Sequence, residues 1–405
     1  MSSSIFNIKA DFQKSKNSFI YDLNKKKYFL DFFGLYSTNV LGYSNKILRN
    51  KKNDNLILNN FHLKFPTCEI STKHSDEFKE NFYKNTGLNK YFSYINFFST
   101  GALAVESAIK SAMYSKNYKN KIITFKNCFH GINSYGGIIS DRSLSSTKKR
   151  LEKFPGNYYK TFDCFYNNKY HKNVINYKKV TDEIKKEFQQ NYKKISCCII
   201  EPIQCTAGDL FVDISFLKIL RDLTKKYKIP LIFDEIQTGF FTSKTTWYFE
   251  NCNIIPDILI FGKKTQVSGI AINKKFAKIL NNPLMLDVTF NSDHLDMIRS
   301  NLMINYIKKN NLLEKRNVIS NYLHKELSKF HFIKNLRSNG SLFAFDLKNK
   351  SLRDDIFKHL YNFGILVNIS SKNIIRLRLN LLVKKSECNI FLHSLIKSYE
   401  KTKIK

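Results

Sequence analysis

Between residues 198 and 269, three short apolar runs each stop on polar residues: CIIEPIQ (198–204), LIFDEIQTG (231–239) and PDILIFGKKTQVSG (256–269). Short runs rich in Ile and Leu read as strands buried in a parallel sheet. In open α/β sheets, ligands bind in the crevice beyond the carboxyl ends of such strands. The chain is therefore expected to be α/β. Its strands would deliver Glu201, Asp234 and a lysine, Lys263 or Lys264, to one crevice.

The remaining pattern fits that architecture. Strand-like runs (YINFF, KIITF, SCCIIE, PLIFD, ILIF) alternate with helix-like stretches (ALAVESAIKSAMYSK, VTDEIKKEFQQNY, SFLKILRDLTKKY), which is the rhythm of βα units. We expect an irregular N-terminal segment over 1–70, with short strands around FIYDL and KYFLDFF, and a large domain over 71–285. A smaller α+β domain is expected over 286–405, where SLFAFDL, GILVNIS and NIIRLRL form strands against helices at 351–362 and 385–400. Residues 295–330 read as helical. The tract 140–180 is polar, rich in Tyr, Asn and Lys, and reads as irregular.

Composition narrows the partners. A formal net charge of +34 raises the possibility of nucleic acid or an anionic surface. The lysines, however, are spread from end to end in short clusters such as Lys25–Lys27, with no arginine-rich arm, so we read the charge as solvated surface. An inactive, basic, nucleic-acid-associated protein is the rival from another class. The eight cysteines form no CxxC pair and several fall in expected core strands, which suits reduced thiols in a cytoplasmic enzyme without a zinc site. MSSSIFNIKADFQKSKN has no apolar signal-peptide core, and no segment reads as a membrane span.

A buried carboxylate that can pair with a pyridinium nitrogen, plus a lysine that can form a Schiff base, is the least a pyridoxal-phosphate enzyme needs. Further segments join the first three: STGALAVESAIKSA (99–112), TFKNCFHG (124–131), TTWYFE (245–250), VTF (288–290) and IRLRL (375–379). In this combination and order the chain resembles the class III, fold-type I aminotransferases, a group that includes ornithine, 4-aminobutyrate and lysine 6-aminotransferases. The resemblance spans roughly residues 15–400.

It implies a mostly parallel, seven-stranded large-domain sheet, the cofactor pyridoxal 5'-phosphate, a homodimer, and transfer of an ω-amino group to 2-oxoglutarate giving glutamate. Lys263 follows Pro256 by seven residues and comes directly after a small residue, Gly262, which favours it over Lys264 as the cofactor-bearing lysine. Asp234 would pair with the ring nitrogen. Ile236 and Phe129 would cover the two ring faces, and Gln237 would reach the 3'-oxygen. Gly101 and Ala102, just before a helix, would take the phosphate, and Thr289 would reach the phosphate of the neighbouring subunit. Glu201 would orient groups near the cofactor or be purely structural. Arg378 would hold a substrate carboxylate, with Arg376 alternating with it on the same strand face.

Three departures from the family pattern bear on substrate. Thr206 stands where the family has a glutamate that pairs with the small-domain arginine. Ile132 stands where lysine 6-aminotransferases have an arginine for the α-carboxylate, with Asn133 as a possible polar substitute. Asn291 and Ser292 replace two glycines beside the phosphate site. These changes leave open a different amine donor or an aminomutase activity.

Overall fold

The computed structural model describes residues 6–43, 48–65, 67, 69–141, 158–171, 176–371 and 373–403. In chain order come β1 (Ala10–Lys16), β2 (Phe19–Asp22), β3 (Lys27–Asp31), α1 (Lys51–Leu58), α2 (Lys73–Asn85), β4 (Tyr94–Phe98), α3 (Gly101–Ser115), β5 (Lys121–Phe125), α4 (Ser134–Ile139) and β6 (Tyr159–Phe162). Then follow α5 (Tyr177–Asn191), β7 (Ile195–Ile200), β8 (Ile203–Gln204), β9 (Leu210–Phe211), α6 (Ile214–Lys226), β10 (Leu231–Asp234), α7 (Tyr248–Cys252), β11 (Ile258–Phe261) and β12 (Ser268–Ile272). The rest comprises α8 (His294–Lys309), α9 (Leu312–Leu327), β13 (Lys334–Asn339), β14 (Leu342–Asp346), α10 (Lys350–Asn362), β15 (Ile365–Leu366), β16 (Asn368–Ser370), β17 (Ile374–Arg378) and α11 (Lys385–Lys403).

The chain forms two compact units. One spans 57–240 and 245–304; the other gathers the residues up to Leu56, Phe241–Lys244 and those from Asn305 onward. The first unit is built on a seven-stranded sheet in the order β4-β12-β11-β10-β7-β5-β6. Strand β10 runs parallel to β7 and β11, and β5 parallel to β6 and β7, while β12 is antiparallel to both of its neighbours. Six strands therefore share one direction and β12 opposes them.

Every residue of β7, β10 and β11 is buried. Burial on both faces is why these strands read as continuous apolar runs and do not alternate. On one face α3 packs Ala104, Val105, Ala108, Ile109 and Ala112 against Cys197, Ile199, Ile232, Ile258 and Ile260. Its small side chains let the helix lie close to the sheet. Phe216 of α6 meets Phe125 of β5 edge-on, with ring centroids 5.7 Å apart.

The tract 140–180 needs correction. Residues 142–157 and 172–175 lie outside the described residues, but 159–162 form β6, and α5 begins at Tyr177. Strand β6 is at the sheet edge and only Phe162 is buried, so no apolar run announces it.

The second unit carries two four-stranded sheets, β1-β2-β3-β15 and β13-β14-β17-β16. Its core joins Phe343, Phe345, Ile375 and Leu377 to Ile356 and Leu360 of α10 and to Cys388, Phe391 and Leu395 of α11. No helix among the described residues is long and apolar enough to cross a membrane.

Candidate active site

Five strands of shared direction end at one place. Gly101 and Ala102 follow β4, Phe129, His130 and Gly131 follow β5, and Glu201 follows β7. Asp234 ends β10, and Lys263 follows β11. With Ile236 and Gln237, these residues line a cavity of about 190 Å3.

Asp234 is held firmly. Its Oδ2 lies 2.9 Å from His130 Nδ1, and its Oδ1 accepts the Ile236 N–H at 3.2 Å. His130 is fully buried. Burial pulls its pKa down, but the Cys128 sulfur and the Asp234 carboxylate outweigh that and leave the imidazole well above its ordinary value. The buried contact with Asp234 favours the charged form of the imidazole. Its Nε2 has no hydrogen-bond partner among the described residues. Glu201 accepts the Phe129 N–H through Oε1 at 2.8 Å. Burial pushes its pKa up to about 8, with Asp234 adding to the rise and His130, the Phe129 N–H and Lys263 opposing it.

Lys263 sits in the turn between β11 and β12 with φ +59°. That left-handed conformation costs a non-glycine residue on the order of 1–3 kcal/mol and is held only where the surroundings enforce it. The preceding residue must be small. A Cβ on Gly262 would come 2.7 Å from Ser268 Oγ and 3.6 Å from Gly101 Cα. The neighbouring Lys264 is 2% exposed, and its Nζ donates to the Gln237 carbonyl at 2.6 Å. Lys264 does not line the cavity.

Helix α3 starts at the cavity. Thr100 caps it, its side chain accepting the Leu103 N–H at 3.2 Å. The helix runs 15 residues, so its positive end favours an anion at Gly101 and Ala102. A Cβ on Gly101 would come 2.9 Å from Ile236 Cδ1, so the glycine makes room for Ile236.

The rest of the DEIQTG segment pins this arrangement. Glu235 accepts the backbone N–H groups of Tyr248 and Phe249 at 2.6 and 2.7 Å and the Thr238 hydroxyl at 3.2 Å. A Cβ on Gly239 would strike the Trp247 ring at 2.5 Å, and Trp247 Nε1 donates to the Thr86 carbonyl at 2.9 Å.

Other expected site residues lie outside the cavity. Thr206 is one contact away, its hydroxyl accepting from Gln237 Nε2 at 3.1 Å. Ile132 is 61% exposed. Thr289 is exposed too. Asn291 bonds within its own turn, to the Val288 N–H and to Asp287, and Ser292 pairs with Thr67. Arg378 belongs to the other compact unit, where it is buried at the end of β17 and donates through Nη1 to the Leu377 carbonyl at 3.0 Å. Arg376 donates to Asn368 at 2.6 Å.

A profile of the family "Aminotransferase class-III" matches residues 1–398. This chain belongs to that family. It is a pyridoxal-phosphate-dependent aminotransferase. It is 25% identical to the L-lysine-epsilon aminotransferase of Mycobacterium bovis, covering 94% of this chain and 89% of the relative. It is 28% identical to the 4-aminobutyrate aminotransferase of Kluyveromyces lactis, covering 96% and 89%. Its fold matches that of lysine aminotransferase from M. tuberculosis with a TM-score of 0.90, at 23% identity over 99% of this chain and 96% of that one.

The cavity suits the aminotransferase's cofactor. It brings together the kinds of group the cofactor would need: a helix N-terminus for a phosphate, Phe129 and Ile236 for a flat ring, a carboxylate for a ring nitrogen and a lysine for an aldehyde. His130 and Glu235 are functional residues that the sequence alone does not single out. Both lie inside the motifs FHG and DEIQTG, but their roles depend on contacts with distant segments.

Proposed function

We propose that this aminotransferase removes an ω-amino group, lysine's ε-amino group in the leading case, and passes it to 2-oxoglutarate, giving glutamate and an aldehyde. The observation that carries this reading is the grouping of Lys263, Asp234, Glu201, Phe129 and Ile236 around one cavity. A relative similar over nearly the whole chain bears the name L-lysine-epsilon aminotransferase.

When bound, pyridoxal phosphate supplies a carbonyl that exchanges amino groups and a ring that withdraws electrons. Lys263 holds the cofactor. Its Nζ would move the proton at the donor's amine-bearing carbon, taking it as general base and returning one as general acid. Asp234, backed by His130, keeps the ring nitrogen protonated. Gly101 and Ala102 would hold the phosphate at the start of α3, Phe129 and Ile236 would cover the ring faces, and Gln237 would serve its 3'-oxygen. Arg378 grips a carboxylate of the keto acid through paired N–H···O bonds. Position 206, where the family has a glutamate that pairs with that arginine, is threonine.

We further propose a homodimer acting in the cytoplasm. Thr289 faces solvent on its own chain, as expected of a residue that serves a neighbour's phosphate. Leu284, Val288 and Phe290 from the same stretch are exposed, as are Phe61 and Leu63, giving a second copy apolar surface to cover. All seven described cysteines are buried, which suits a reducing compartment.

A second reading, a different ω-amine donor, is favoured by Ile132. An exposed apolar side chain offers no charge to lysine's α-carboxylate. The decisive experiment is a panel of amine donors with 2-oxoglutarate, following glutamate formation. Fastest turnover with lysine supports the first reading. Fastest turnover with 4-aminobutyrate or another ω-amine supports the second, and no glutamate from any donor rejects both.

A further inference from the structure

The cavity contains two carboxyl groups of unequal standing. Asp234 is bonded to a cation, His130, and also receives the Ile236 N–H. Glu201 comes from the end of another strand, β7, and is 4% exposed. Its one hydrogen bond among the described residues is the Phe129 N–H to Oε1. Its other oxygen, Oε2, is the one left for the cavity that Glu201 lines.

Two buried negative charges lining one cavity are costly unless each has its own partner. The groups within electrostatic reach of Glu201 divide as follows. His130 and Lys263 favour its ionised form, and Asp234 and burial oppose it. Cys164 and Tyr166 are also in reach, and burial keeps both neutral. His130 is already engaged by Asp234. Where neighbouring carboxyls are driven apart in this way, one stays charged and the other becomes an acid able to donate.

We infer that Glu201 works as a neutral hydrogen-bond donor, keeping a proton on Oε2 and offering it to a lone pair of the group held in the cavity, while Asp234 alone carries the negative charge. The inference rests on the reading of this cavity as the cofactor site. Glu201 is then a cofactor-positioning residue whose usefulness ends when it ionises.

Two measurements on the full chain test it. The first is infrared difference spectroscopy of wild type against Glu201→Gln across pH, before cofactor is added. A protonated-carboxyl C=O band should be present at neutral pH, absent from the variant, and lost as pH rises through about 8. The second compares the dissociation constant of pyridoxal phosphate in two variants. Glu201→Ala, which has no donor, should weaken binding by about two- to tenfold, the worth of one net hydrogen bond. Glu201→Gln retains an N–H donor of similar shape and should weaken it less. Absence of the band at neutral pH overturns the inference, and so does equal weakening by the two variants. If pyridoxal phosphate fails to attach at Lys263 in wild type, the site reading is what fails, and the infrared result still reports the state of Glu201.

Discussion

Lys263 and Lys264 leave one turn with different fates. Lys263 lines the cavity, and Lys264 is buried against the Gln237 carbonyl. Replacing Lys263 with alanine should abolish the visible absorbance of lysine-bound cofactor. Lys264→Ala should keep that absorbance but lose about 1–3 kcal/mol of stability, because the partly buried Gln237 carbonyl loses its donor. If only Lys264→Ala removes the absorbance, the two assignments must be exchanged. Substrate recognition is tested at two further residues. Arg378→Ala removes a charge-assisted bond of about 1.5–3 kcal/mol, so KM for 2-oxoglutarate should rise roughly ten- to a hundredfold. Ile132→Arg should improve lysine turnover in half-reaction kinetics, and a loss would show that the donor's carboxylate is held elsewhere.

At the level of elements, the loop carrying Phe129 and His130 depends on α4. A Cβ on Gly136 would lie 2.5 Å from the His130 carbonyl and 3.3 Å from Val105 Cγ1. Backbone cannot yield cheaply, so Gly136→Ala should cost about 1–3 kcal/mol in urea unfolding and weaken cofactor binding by displacing the loop. Unchanged stability would mean that α4 can shift freely. Much of this layer was legible in the sequence. Strands β5, β7, β10 and β11 are apolar because sheet and helices cover them, and the residues that follow them and β4 fall at the cavity. Strand β12 was missed because SGIAI opens on Ser and Gly, where Gly269 packs against Phe261. His130 was passed over because nothing in FHG reveals a carboxylate 104 residues away. Glu235 was passed over because its partners, the Tyr248 and Phe249 N–H groups, are backbone atoms, which side-chain identity does not disclose.

Across the whole molecule, pH acts through buried acids. Burial raises Glu235 to about 7 and Glu201 to about 8 from an ordinary 4.5. Between those limits the folded chain holds protons that the unfolded chain has released. Their stabilising contribution is therefore full below about pH 4.5 and lost as pH rises through 7 and 8. Urea unfolding of wild type should show this as a decline on the order of a few kcal/mol, and Glu235→Gln should flatten part of it. An equally steep decline in that variant would remove Glu235 from the account. The sheet that joins the two ends of the chain acts on a different timescale. Leu30 and Phe32 donate their N–H groups to the carbonyls of Gly364 and Leu366, and β15 pairs with β3 in parallel. On the ribosome, β3 is made early and must wait for that partner. At about 5–20 residues per second the wait is on the order of tens of seconds. During it, an open strand edge invites pairing with other nascent chains. Lys14, Lys16, Lys25, Lys26 and Lys27 crowd this small sheet, and mutual repulsion would keep the waiting edges apart. Pulse-labelled hydrogen exchange during refolding should find the Leu30 and Phe32 amides protected later than those of β10. On this account, lysines that lie over aromatic rings in the finished sheet also act as chaperones of its synthesis.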